Sequence, residues 1–442
     1  MSIDTFLLSA DTTDLDYPEV RPTLDLNFAR VKALDSRITF TRASGGSYTG
    51  ADGLIKLSGV NEARFDHNPV TGESLGLLVE ESRTNLLTYS EQFDNAAWTK
   101  SNIGITTNTS ATTAPDGTNS AEKLVENTAS NVEHFAYVGR TASNETVTLS
   151  VFAKAAERGY VSLSLSNFLN AAAQVIFNLS NGAIVSTGLT SADYTAISAT
   201  TIAYPNGWYR CILTATKGTV NTTNNPSIII YNGSTTQYTG DGTSGIYIWG
   251  AQLEAGAFPT SYIPTIGSTR TRDKDTAIIT QNNFSWYNGT EGTILLEHTD
   301  FPFNVNAPEG YPGFGVAGTA VGDSFYTIQY FITTRFGGGY FLVRNGVRPG
   351  GAYNDQVGID FGLAATGSKV SFAFKENNFA AARNGILMGT DNLGVVPDKI
   401  NVSMLIIGLT EIASNSRINC HCKYLKYYPK RLPNQQLQAL TR

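Results

Sequence analysis

From Gly245 to Thr265 the chain reads as an alternating strand that runs into a glycine- and proline-punctuated exit. Ile246 and Ile248 point one way, Tyr247 and Trp249 the other, which is the two-residue period of a β-strand. Gly250, Gly256, Pro259 and Pro264 then break the run. Nothing in it carries chemistry. The same alternation recurs upstream in Val147 to Lys154, Val161 to Leu165, Val175 to Leu179, Trp208 to Leu213 and Ile228 to Tyr231. Turn signals such as Asn181-Gly182 and Asn206-Gly207 separate the runs. Eight or so strands in under 200 residues predict one jelly roll over 88–265.

Composition agrees with an all-β chain. Only 15% of the 442 residues are charged, and there are 42 glycines. Surface helices would carry more Lys and Glu, so strands joined by turns are favoured. The length calls for two or three domains. The net charge of −6 gives no nucleic-acid footprint. Lys423, Lys426, Lys430, Arg431 and Arg442 cluster near the end and read as a solvated face. Three cysteines make no disulfide framework. On a strand, Cys420 and Cys422 share one face and His421 takes the other, which argues against a zinc pair. No secretion signal or bilayer-spanning stretch is expected, and synthesis in a reducing cytoplasm is.

The pattern restarts after a linker at 266–275. Gly292 to Glu297, Phe325 to Ile332, Tyr340 to Val343, Val370 to Phe374, Asn401 to Ile407 and Tyr424 to Tyr428 predict a second sandwich over 276–442. It is closed by a short helix from Pro433. Residues 1–87 hold only short extended pieces, split by turns such as Ser44 to Ser47. They offer too little apolar sequence for a core of their own, so they read as an anchoring and oligomerisation segment stabilised by partner subunits.

Several motifs carry a family resemblance. Thr84 to Leu87, Trp98, Ala114 to Thr118, Val147 to Lys154, Asn206 to Arg210 and Gly250 to Thr265 occur in the order seen in the carbohydrate-binding-module-like jelly rolls of phage virion proteins. Gly292 to Ile294, Phe372 to Phe374, Ala381 to Gly385 and Tyr427 to Pro433 resemble concanavalin A-like (laminin-G-like) sandwiches. Phe40 to Ser44 and Glu80 to Asn85 resemble the leader of phage head-spike, head-fibre and tail-fibre proteins. The resemblance implies a virion protein, non-enzymatic and commonly trimeric, that decorates the capsid or forms a head spike. Residues 1–87 would grip the major capsid protein, and the sandwiches would bind host surface glycans. The alternatives are a tail fibre or receptor-binding adhesin and, further off, a polysaccharide depolymerase.

Candidate site residues are few. His67, His134, His298 and His421 fall in no ligand or triad spacing. The carboxylate pairs Glu80/Glu81 and Asp273/Asp275 sit in apparent linkers, where solvated charge is the commoner role than glycoside hydrolysis. The resemblance implies a structural Ca²⁺, for which Asp116, Glu254 and Glu91 are the candidate oxygen ligands. The alternative has Asp116 making a turn and Glu254 packing on Arg210. Sugar stacking would fall to Tyr137, Tyr231 and Tyr238 in the jelly roll and to Tyr330 and Tyr340 beyond it, against a role in the core or an interface. Trp208 and Trp249 belong to the interior.

Overall fold

The computed structural model describes residues 18–142, 144–166, 172–189, 193–218, 223–299, 313–317, 324–333, 338–347, 355–362, 368–396, 404–407 and 419–442. It is all-β, built of antiparallel sheets stacked as sandwiches. The jelly roll consists of two six-stranded sheets. One runs in the order Tyr194–Tyr204, Trp208–Lys217, Glu145–Ala155, Gly245–Ala255, Glu122–Glu126, Ile103–Thr106. The other runs Ile184–Leu189, Ala172–Asn178, Tyr160–Ser166, Asn225–Tyr231, Phe135–Tyr137, Thr99–Ser101. Alternation sends Val161, Leu163, Leu165, Ile228 and Ile230 inward against Leu149, Val151, Leu213 and Leu253.

The second sandwich differs from expectation in where its strands come from. Its eight-stranded sheet joins Ile386–Asp391, Phe379–Arg383, Ser368–Lys375, Glu291–His298 and Cys420–Tyr428 to Ser74–Val79 and Arg64–His67, and Leu24–Asn27 also pairs with Cys420–Tyr428. Its seven-stranded sheet begins at Ile38–Thr41, beside Thr276–Thr280. Four strands from the supposed anchoring segment therefore complete the C-terminal sandwich. Leu24, Leu26, Phe28, Ile38, Phe40, Leu77 and Val79 lie in one core with Ile294, Phe372, Leu425 and Tyr427. Each contributes roughly 1.5–3 kcal/mol by leaving water. The segment's missing partners are supplied by the same chain, not by sister subunits, and with that goes the structural reason for expecting a trimer. The boundary at 276 is likewise displaced, because the jelly roll is an insertion within one sandwich built from both flanks.

The junction between the two bodies is ionic and buried. Arg42, Arg64, Arg272, Glu80 and Asp275 are each at most 4% exposed. Arg64 bridges Glu80 at 2.7 Å and also pairs with Asp275, which Arg42 holds at 3.0 Å. Glu80 further accepts the Ser261 N–H at 2.7 Å and its hydroxyl at 2.6 Å. Arg83–Asn85 pairs with Arg270–Arg272 at the insertion's two ends. The reading of Glu80 and Asp275 as solvated linker charge is thus corrected, since the linker is interior. The final helix spans Asn434–Leu440, with Pro433 at its N-cap. No helix among the described residues is long and apolar enough to cross a membrane.

Candidate functional site

The outward face of the jelly roll's second sheet follows from three short sequences. In Tyr160–Ser166 the odd positions are core, which leaves Tyr160, Ser162, Ser164 and Ser166 facing out. In Asn225–Tyr231 the outward set is Ser227, Ile229 and Tyr231. In Phe135–Tyr137, Ala136 is core and the two rings face out. Register then builds a grid. Tyr160 stands opposite Tyr231, Ser162 opposite Ile229, and Ser164 opposite Ser227. On the next strand Phe135 faces Ile229 and Tyr137 faces Ser227.

The four rings are half-buried and frame a serine floor. Tyr160 and Tyr231 meet edge to face, with centroids 5.8 Å apart at 75°. Phe135 and Tyr137 lie 5.7 Å apart. The floor residues Ser162, Ser164, Ser227 and Ile229 are buried. Ser162 Oγ lacks any hydrogen-bond partner. No residue at these register positions carries a charge. The half-buried rings suit the apolar faces of a sugar, while the serine hydroxyls between them, at most 3% exposed, lie beneath the contact surface.

Of the tyrosines expected to stack on sugars, Tyr137 and Tyr231 stand on this platform. Tyr238 does not. Its hydroxyl donates to Glu126 at 2.7 Å, its ring packs 4.6 Å from His134, and Arg158 covers the ring at 5.4 Å. Burial first, and then the Glu126 hydrogen bond, push its phenol well above the usual range. Tyr330 and Tyr340 lie on the paired strands Ser324–Thr333 and Gly338–Val347, and their side chains fall outside the described residues. Tyr160 and Phe135 were missed by sequence reasoning. The serine alternation of 160–166 was the available signal, because it puts Tyr160 on the face opposite the core.

The three calcium candidates do not assemble. Asp116 Oδ1 accepts the Thr118 N–H at 2.9 Å and hydroxyl at 2.8 Å, the geometry of a turn. Glu91 accepts from Tyr262 at 2.8 Å, and burial, with Asp116 adding repulsion, raises its carboxyl above the usual range. Glu254 is fully buried and engaged elsewhere, by Thr260 N–H at 2.9 Å, Thr260 Oγ1 at 2.5 Å and Gln252 Nε2 at 2.7 Å. Arg210 meets it only through the Thr260 carbonyl, at 2.9 Å. Among the described residues no three His, Cys, Asp or Glu side chains group as metal ligands.

A cleft of about 350 Å³ separates the jelly roll from the sandwich and is lined by Tyr48, Asp66, Tyr204, Thr299 and His421. Cys420 and Cys422 are buried on the core face, and His421 turns outward as strand alternation requires. Its Nε2 meets Asp66 Oδ2 at 2.7 Å and its Nδ1 meets Thr299 Oγ1 at 3.0 Å. Thr299 Oγ1 also accepts the His421 backbone N–H at 2.9 Å. That pins the hydroxyl and ties the trio to holding strand ends. Sequence spacing had no means of joining residues so far apart. Among the terminal basic residues, Lys423 pairs with Glu73 at 2.7 Å, Lys426 with Asp25 at 3.3 Å and Lys430 with Glu291 at 2.9 Å, while the Arg431 guanidinium donates to Leu432 O and Asn434 Oδ1.

No protein family matches the chain, and no curated protein does either. Among solved structures it is similar to the CBM40 of the Ruminococcus gnavus IT-sialidase, at 13% identity and a TM-score of 0.28 over 35% of this chain and 84% of that one. The same module bound to α2,3-sialyllactose matches at the same values. The Trypanosoma rangeli sialidase in complex with sialic acid matches at 11% identity and a TM-score of 0.27, over 72% of this chain and 60% of that one.

Proposed function

We propose that this chain is a non-enzymatic structural protein of a phage particle, a capsid decoration or head-spike protein whose jelly roll binds glycans on the host surface. The observation that carries the glycan part is the uncharged platform of Tyr160, Tyr231, Phe135 and Tyr137 around buried serines. The virion part rests on the order of motifs from Thr84 to Thr265 and on the leader resemblance at Phe40 to Ser44 and Glu80 to Asn85. Docking on the particle falls to the N-terminal region, with the major capsid protein as partner, and a trimer is supported by the leader resemblance alone. A shallow neutral platform binds single sugars weakly, and many copies on one particle raise the effective affinity by orders of magnitude.

The non-enzymatic reading is supported by the fate of the carboxylates. Glu80 and Asp275 are locked among arginines, and Glu81 pairs with Arg83. Glu81 and Glu145 line one groove of about 720 Å³, but each is tied to an arginine there, Glu81 to Arg83 and Glu145 to Arg140. The test is a glycan array probed with the full chain displayed multivalently, beside a Tyr160→Ala, Tyr231→Ala double variant. Retention of a glycan class by the parent and its loss in the variant is expected. Equal signals, or none for either, would remove the glycan role. Electron cryo-microscopy of the particle tests the location. Density on the capsid lattice is expected, and density confined to the tail would make the chain a tail-fibre adhesin instead.

A further inference from the structure

The buried junction carries more positive than negative charge. Arg42, Arg64 and Arg272 oppose Glu80 and Asp275, three against two, which leaves one positive charge out of water. Backbone carbonyls share the load. Arg42 donates to Ser44 O at 2.8 Å and Gly59 O at 2.7 Å, and Arg272 donates to Glu81 O at 2.6 Å. Two donors are still unmet: Arg64 Nε and Arg272 Nε are buried without a hydrogen-bond partner. The carboxylate nearest Arg272 Nε, on Glu80, stands 3.4 Å away without making that bond. A buried excess charge with orphaned donors is costly unless something neutralises it.

Beside these groups lies a cavity of about 70 Å³, lined by Arg270, Arg272, Gly45 and Gly46 together with apolar residues that include Leu57 and Ile263. The two glycines bring the backbone close to the guanidinium groups. A Cβ on Gly46 would come within 3.2 Å of Arg42 Cζ and 3.3 Å of Arg64 Cδ. A Cβ on Gly45 would stand 3.6 Å from Arg270 Nη2. Arg270 itself is exposed, so the cavity has a charged and movable wall on the solvent side. With Arg270 counted, four guanidinium groups surround the diglycine and two carboxylates answer them. Burial first, and then repulsion from Arg64, depress the Arg42 pKa, whereas at Arg64 burial is outweighed by Asp275 and Glu80, which raise it, so the carboxylates serve Arg64 before Arg42.

We infer that this cavity is a binding site for a small oxyanion of the phosphate or carboxylate type, held between Arg270 and Arg272 beside Gly45 and Gly46, where the strand Gly46–Thr49 begins. The space admits a few waters or one such ion. Guanidinium forks are the groups best matched to its planar or tetrahedral oxygens. The bound ion neutralises the junction and fastens the jelly roll to the sandwich. This site is separate from the aromatic platform, and its failure would leave the glycan reading intact.

The experiment is thermal unfolding of the full chain in sodium phosphate, sodium acetate and sodium chloride at matched ionic strength, with isothermal titration of inorganic phosphate. A saturating rise in Tm at low millimolar phosphate or acetate, absent in chloride, is expected. Arg272 is interior and its replacement could unfold the chain, so the diagnostic variant is Arg270→Ala at the surface. It should keep the ion-free Tm within a few degrees and weaken binding at least tenfold. Kosmotropic anions also stabilise proteins without a site, but that effect grows with concentration and does not saturate. A non-saturating response, no response, or a saturating one unchanged in Arg270→Ala would each overturn the assignment.

Discussion

Glu122 is a carboxyl buried where its charge is unwelcome, and replacing it should stabilise the jelly roll in a pH-dependent way. It is 3% exposed on the strand Glu122–Glu126, where its Oε2 accepts the Phe93 N–H at 2.8 Å. Burial, and secondly the Asp94 charge, raise its pKa from 4.5 to about 7. Between those values the folded chain holds a proton that the unfolded chain has released. Stability therefore falls as pH rises from about 4.5 to about 7 and is level above. At about 1.4 kcal/mol per unit, the penalty at pH 8 is at most roughly 3.5 kcal/mol. Glu122→Gln keeps an oxygen for the Phe93 N–H and removes the charge. It should gain about 1–3 kcal/mol at pH 8, roughly 3–9 °C in Tm for a domain of this size. The gain should shrink steadily toward pH 5. The assay is thermal unfolding followed by fluorescence of the buried Trp98, Trp208 and Trp249, run for both proteins across pH 5 to 8.5 in non-phosphate buffers. A gain equal at both ends of the range, or a loss at pH 8, would refute the reasoning.

Other substitutions probe the remaining features. Arg64→Met evens the junction's charge count but removes the group that bridges Glu80 and Asp275, leaving them to Arg272 at 3.4 Å and Arg42 at 3.0 Å. It should cost about 1.5–3 kcal/mol for the lost charged hydrogen bonds, read by urea denaturation; a cost under about 1 kcal/mol would mean the junction is peripheral. Glu80, held well below the usual carboxylate range chiefly by Arg272 and Arg64 against burial, favours the fold above the ordinary carboxylate pKa. That share should disappear on acidification, so a junction as stable at pH 3 as at pH 7 would contradict it. Gly76 has φ +90°, and a Cβ there would sit 2.1 Å from the Cys422 carbonyl oxygen. Gly76→Ala should therefore open that edge of the sheet and lower Tm markedly. The Tyr160→Ala, Tyr231→Ala variant should lose glycan retention with Tm nearly unchanged, since both rings are half-buried on the outer face.

The strands were legible because their alternation is local. Val161, Leu163 and Leu165 against Ser162, Ser164 and Ser166 announce a strand, its core face and its outer face together. Trp208 and Trp249 were likewise placed in the interior, where both are 1% exposed. What alternation cannot encode is which distant strand completes a sheet. Leu24–Asn27 and Ile38–Thr41 are four residues each, too short to reveal that their partners are Cys420–Tyr428 and Thr276–Thr280. The same limit hid the Asp66–His421 contact. It also misplaced Glu80 and Asp275, since charge beside glycines and threonines reads as solvated until the packing arginines are known. Glu254 was misjudged for a related reason, because its hydrogen bonds come from Thr260 and Gln252, ordinary residues with no ligand signature.

The insertion has a mechanical consequence. Leu24 pairs with Tyr427 and Asn27 with Tyr424, so the two ends of the sandwich leave the sheet side by side. Tension applied between residues 18 and 442 loads that ladder one hydrogen bond at a time, beginning at Leu24. The jelly roll hangs from Arg83–Asn85 and Arg270–Arg272, which pair with each other. It lies outside the load path until the sandwich has unzipped past them. A chain pulled at its ends thus yields in the outer body first and keeps its aromatic face folded to the last.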